Sequence, residues 1–267
     1  MEESMINVAG LTKNFGQVQA VKNISFSVRR AECFGLLGPN GAGKSTTIKI
    51  LTTLTDLEGG EVQIGGLDLK KHPEQIRELI GYVPQAISMD GTLTGYENLL
   101  LFAKLHGLPR RVREERIQEV IKLLNLEEVA HRQAKTYSGG LIRRLEIGQA
   151  ILHRPKILYL DEPTVGLDPI ARKGVWSHIE ELRNTEKMTI ILTTHYMEEA
   201  EAMCSTIAIM CKGEVAALGS LEELRASMGN PGAGMNEIFV HFAGNPDQHQ
   251  GGMRDVYRSR RTAKRLG

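Results

Sequence analysis

The period of apolar and polar positions changes several times along this chain. Residues 6–11 and 24–28 alternate, with β-branched side chains bounded by polar or glycine positions, which predicts strands. Residues 33–37 form an unbroken apolar run that stops at Gly38, and residues 45–54 then take helical spacing, giving strand, loop and helix in succession. A short strand is predicted over 61–64, between Gly59–Gly60 and Gly65–Gly66. From Thr92 to Ala150 the strand signals fade. Residues 96–106 and 112–124 carry apolar positions at helical spacing with charged outer faces, and the Gly107–Pro109 break separates them. Thr92 and Thr94 followed by Glu97 read as a capped helix start. Strand character returns at 157–160 and 189–193, each run preceding a helix, near 170–184 and 197–204. Residues 206–210 and 214–217 then read as a closing hairpin around Lys212 and Gly213.

This pattern predicts an α/β core interrupted by a helical insert at about 86–150. After Gly219 it weakens. Residues 229–234 read as a loop, and 236–243 as a short ordered piece closing a small extension over 221–243. Residues 244–267 are polar and then basic, ending in Arg254, Arg258, Arg260, Arg261, Lys264 and Arg265, and are expected to form a disordered tail. Those cations suit either solvent or an anionic lipid surface.

Composition narrows the classes. The chain has 267 residues, 41% hydrophobic and 24% charged, enough for a sizeable core and far from a disordered composition. Thirty-three basic against 32 acidic residues leave a net charge of +1, which gives no general grip on nucleic acid. No apolar run approaches the ~20 residues of a membrane span, and the start, with Glu2 and Glu3, lacks a signal-peptide pattern. Cys33, Cys204 and Cys211 form no C-x-x-C pair and read as reduced thiols.

Three segments carry chemistry. Gly38-Pro39-Asn40-Gly41-Ala42-Gly43-Lys44-Ser45-Thr46 fits G-x-x-x-x-G-K-[ST] between a strand and a helix. Glycines let successive N–H groups turn inward on phosphate oxygens, and the helix start adds its positive dipole end. Lys44 supplies a charge to the outer phosphates, and the Ser45 hydroxyl suits Mg2+. The apolar run 157–160 ends in Asp161 and Glu162: Asp161 beside the phosphate loop suits Mg2+, and Glu162 can polarise an attacking water. Ser138-Gly139-Gly140, ahead of a helix, is a second anion site without a lysine of its own, which suggests closure over a nucleotide held by another subunit.

With these motifs in this order, the chain resembles the ATP-binding subunits of ABC transporters over residues 4–243. The resemblance implies a P-loop NTPase core, a mixed sheet flanked by helices, with an inserted α-helical subdomain and an N-terminal antiparallel β portion, all within 4–220. It implies that Gln85 senses the γ-phosphate and Mg2+, that Asp168 after Gly166 and Leu167 crosses a dimer interface, and that His195 contacts the γ-phosphate. Phe15 falls where the family stacks an aromatic ring on adenine, though an aromatic beside Gly16 also suits a core. ATP and Mg2+ are the implied ligands. The implied partners are an integral-membrane permease, a second ATP-binding subunit, most simply a copy of this chain, and no nucleic acid. The implied place is the cytoplasmic face of the cell membrane.

Where the family's signature ends in Gln this chain has Leu141, a substitution similar to that of ABC-2-type, daunorubicin-type drug exporters, as are the stretches 92–98 and 194–201. The alternative is a soluble ABC-type mechanical ATPase acting on nucleic acid or ribosomes, which is expected to bring long coiled coils or paired ATP domains.

Overall fold

The computed structural model describes residues 4–244. The first sheet is antiparallel and contains β1 (Ser4–Phe15), β2 (Val18–Arg29), β4 (Gly59–Ile64) and β5 (Leu67–Asp68), in the order β2-β1-β4-β5. The first two strands run well past the predicted 6–11 and 24–28. Polar Lys13 and Asn14 still pair with Val21 and Gln19, and repeated register shifts absorb the lost alternation.

The second sheet holds β3 (Cys33–Leu37), β6 (Ile80–Val83), β7 (Ile157–Asp161), β8 (Thr189–Thr194), β9 (Thr206–Cys211) and β10 (Glu214–Gly219), in the order β10-β9-β3-β8-β7-β6. It is parallel from β9 to β6, and β10 turns back antiparallel on β9. Every residue of β3, β7 and β8 is buried, as expected for parallel strands covered on both faces. Both sheets contribute to one apolar core, in which Val8 and Ile24 meet Phe34 and Tyr159.

The helical insert contains α3 (Gly95–Leu105), α4 (Arg110–Leu123) and α5 (Gly139–Ile151), packed around Leu99, Ile117 and Leu145. Thr94 caps α3 through a reciprocal bond with Glu97, so the cap lies at Thr94, two residues past the first threonine. The remaining helices are α1 (Lys44–Leu51), α2 (Pro73–Leu79), α6 (Pro169–Thr185), α7 (Met197–Met203), α8 (Leu221–Met228) and α9 (Met235–Ala243).

The pair α2–β6 and helix α8 had no counterpart in the sequence prediction. Strand β6 is four residues long and contains Gly81, where a Cβ would strike the Ala150 carbonyl; close packing against α5 replaces alternation there. Helices α8 and α9 form a third apolar cluster with β9 through Leu224, Ile238 and Ile209, so the stretch after Gly219 lies against the core. The predicted basic tail lies outside the described residues.

Candidate functional site

The loop after β3 is shaped by contacts that only glycine allows. A Cβ at Gly38 would strike the Met210 carbonyl, and Gly43 holds φ 104° against Ala20 and Met210. The chain thus arrives at α1 with Asn40 and Gly41 exposed, Ala42 buried, and Thr46 half-buried on the first turn of the helix. Lys44, only 4% exposed, turns back to donate to the Gly38 carbonyl at 2.7 Å and the Pro39 carbonyl at 3.2 Å. Burial lowers its pKa, opposed by the nearby Glu162 and Asp161 carboxylates.

The end of β7 delivers both acids. Asp161 Oδ1 accepts from Ser45 Oγ at 3.3 Å and from Thr193 Oγ1 at 2.5 Å. Glu162 holds φ 49°, a left-handed conformation that is costly for a side chain with a Cβ. Its N–H is pinned to Thr193, to the hydroxyl at 2.9 Å and the carbonyl at 3.1 Å. This kink separates the two acids: Asp161 turns to Ser45, and the 6% exposed Glu162 carboxylate turns to three other groups. Lys44 Nζ lies 3.6 Å from its Oε1, while Gln85 Nε2 donates to Oε2 at 3.0 Å and His195 Nδ1 lies 3.4 Å from the same oxygen. The buried His195 Nδ1 has no hydrogen-bond partner. Lys44, Ser45, Gln85, Asp161, Glu162 and His195, predicted from segments scattered along the chain, therefore converge.

The other predicted residues stand apart from this cluster. Ser138 caps α5 by accepting from Leu141 N at 3.4 Å. Asp168 caps α6, accepting from Ile170 N and Ala171 N, each at 3.0 Å. These two helix starts pack on one another: a Cβ at Gly139 would come 2.9 Å from Leu167, and one at Gly140 3.0 Å from Ala171. Phe15 ends β1 with 54% exposure, so its ring is open to a ligand, and Lys13 Nζ lies 5.6 Å from its centre. Among the described residues no cluster of three or more His, Cys, Asp or Glu side chains is poised to hold a metal. The Ser45–Asp161 oxygens nevertheless fit Mg2+, which commonly completes its shell with water and substrate phosphates.

Residues with no motif of their own hold the cluster in place. Thr193 links the two acids, as described. The buried Arg143 donates to the carbonyls of Pro84 at 2.8 Å and Gln85 at 3.2 Å, and pairs with Glu146 at 3.0 Å. Glu146 in turn accepts from Ser88 N at 2.5 Å. The loop carrying Gln85 is thereby fastened to α5, the helix that Ser138 begins. The sequence signal for this clamp is a pair of opposite charges three residues apart on the buried face of a helix.

A protein-family model described as ABC transporter matches residues 21–165, more than half of the chain. The chain belongs to the ABC transporter ATP-binding family. It is 40% identical over 242 residues to the Linearmycin resistance ATP-binding protein LnrL of Bacillus subtilis (strain 168), covering 88% of this chain and 78% of that one. It is also 40% identical, over 82% of this chain and 68% of the other, to the Nod factor export ATP-binding protein I of Ralstonia nicotianae. A dimeric ATP-binding cassette solved in a post-hydrolysis state with ADP and Pi superposes with a TM-score of 0.73 at 27% identity, over 81% of this chain and 99% of that one. The P-loop core, the mixed sheet, the helical insert and the antiparallel β portion are those of an ABC ATPase, and the family's activity is ATP hydrolysis driving transport. Among the described residues no helix is long and apolar enough to cross a membrane.

Proposed function

We propose that this chain powers an ABC-2-type exporter of drugs or other amphipathic compounds from the cytoplasmic face of the cell membrane, working as a homodimer with an integral-membrane permease. The single observation that carries the catalytic part is the convergence of Lys44, Gln85 and His195 on the Glu162 carboxylate. The export part is supported by the two relatives' names, drug resistance in one and Nod factor export in the other.

In this reading the backbone of Asn40–Thr46 and Lys44 hold the ATP phosphates, and Phe15 stacks on adenine. Ser45, Asp161 and Gln85 would hold Mg2+, whose charge would offset that developing on the phosphates. Glu162 orients the attacking water, and His195 contacts the γ-phosphate. Ser138, Gly139 and Gly140 of one copy close on the nucleotide held by the other, with Asp168 at the interface. Hydrolysis removes the phosphate that bridges the two copies and lets them part.

The permease docks on the surface near residues 89–100, which Ile87 and Leu101 flank with exposed apolar side chains at 62% and 42%. The test is purification of a tagged Glu162→Gln chain from native membranes in mild detergent with ATP, followed by mass spectrometry. A co-purifying polytopic membrane protein is expected. Recovery of soluble partners alone, with the chain absent from membranes, contradicts the transporter role and favours a mechanical ATPase.

A further inference from the structure

Glu199, in the first turn of α7, is 1% exposed, and both of its carboxylate oxygens are engaged. One accepts the Thr164 hydroxyl and the other the Thr194 hydroxyl at 2.5 Å. Thr164 lies two residues beyond Glu162, and Thr194 immediately precedes His195. Thr194 is itself fixed, because its oxygen also accepts the Tyr196 N–H at 2.9 Å.

A third segment joins at the same carboxylate. Arg172 Nε, on α6, lies 4.0 Å from the oxygen that accepts Thr164. Its guanidinium carbon sits 4.2 Å from the centre of the Tyr196 ring, a cation–π contact, and that ring lies 4.3 Å from the His195 ring. Helix α6 is the one that Asp168 caps. The loop after Glu162, the segment carrying His195 and the helix led by Asp168 therefore meet at one buried side chain.

We propose that Glu199 is a positioning residue for ATP hydrolysis, holding His195 against Glu162 and tying both to the helix that Asp168 begins. The inference rests on the reading of Glu162 and His195 given above. A carboxylate accepts at both oxygens, and hydrogen bonds to an ionised acceptor are about twice as strong as neutral ones. Glutamine offers one acceptor oxygen and one amide that only donates, so one of the two threonine hydroxyls must reverse its bond, and the charge facing Arg172 is lost.

The test uses the full chain with Glu199→Gln and Thr164→Val, and with Glu162→Gln and His195→Ala as references. Steady-state ATPase kinetics, titration with a fluorescent ATP analogue, thermal melting and the NMR resonance of the His195 imidazole (assigned by its loss in His195→Ala) are recorded for each. Glu199→Gln is expected to lower kcat about tenfold, with KM and analogue affinity within about twofold and the His195 resonance moved, since small misplacements of reacting groups cost large rate factors. Thr164→Val, which keeps the carboxylate, moves kcat and the resonance in the same direction by less, and it carries the test if the glutamine variant fails to fold.

An unchanged kcat overturns the proposal. So does a lowered kcat with an unmoved His195 resonance, which would leave Glu199 a role in holding the fold alone. If Glu162→Gln and His195→Ala keep turnover, the reading of the site fails and this inference with it. If those two lose turnover while Glu199→Gln does not, only this inference fails.

Discussion

The Thr193 hydroxyl donates to Asp161 Oδ1 at 2.5 Å, and its own oxygen, Thr193 Oγ1, accepts the Glu162 N–H at 2.9 Å. One threonine thus orients both acids from the neighbouring strand, its hydroxyl and its carbonyl together holding the N–H of Glu162, which has a left-handed φ of 49°. Thr193→Val keeps the shape and removes the hydroxyl. It is expected to cost about 1–3 kcal/mol of stability, because the buried Glu162 N–H loses a partner. ATP turnover should fall more steeply than ATP affinity. Equal losses in both would assign Thr193 to folding alone.

Lys44→Ala removes the charge that the loop holds beside Glu162 at 3.6 Å. Hydrogen bonds to charged groups contribute about 1.5–3 kcal/mol, so ATP affinity should fall about 10- to 100-fold. Isothermal titration calorimetry checks this, and an unchanged affinity would mean that the loop does not cradle phosphate.

Arg143→Met breaks the buried clamp between α5 and the Gln85 loop while keeping much of the side-chain volume. Leaving Glu146 buried without its cation is expected to cost about 3–5 kcal/mol. Hydrogen exchange should accelerate at Gln85–Asp90 more than in β7 or β8. Uniform acceleration would show that the clamp stabilises the whole core rather than this loop.

His153 gives a pH dependence. Its ring stacks on His106 with centres 3.9 Å apart, and its Nε2 meets the Ile80 carbonyl at 2.9 Å. Burial pulls its pKa down to about 4, with the neighbouring His106 adding to the effect. Between about pH 6.5 and 4 the unfolded chain binds a proton that the folded chain refuses, so stability present above 6.5 is lost as pH falls. His153→Asn should flatten the fall in melting temperature across that window. Parallel curves for the two proteins would contradict it.

Much of this site was legible because its groups sit where strands end. An apolar run closed by Gly38, another by Asp161 and a third by His195 place their last residues on one edge of a parallel sheet. Helix α8 was legible in principle, since Ser220 and Glu223 form a reciprocal cap, but its few apolar positions hid its contact with the core. Glu199, Thr164 and Thr194 were not legible. Side chains that serve by touching one another across long stretches of sequence leave no periodic trace. The strands β1 and β2 were cut short because pairing, not alternation, sets their length.

In the proposed cycle two copies of this chain sandwich ATP, and Glu162 activates the water which ends that state. Light scattering of Glu162→Gln tests it most directly. With ATP and Mg2+ the variant is expected to run at twice the 29.6 kDa chain mass, and without nucleotide as a monomer. A variant that binds ATP yet stays monomeric would contradict the sandwich.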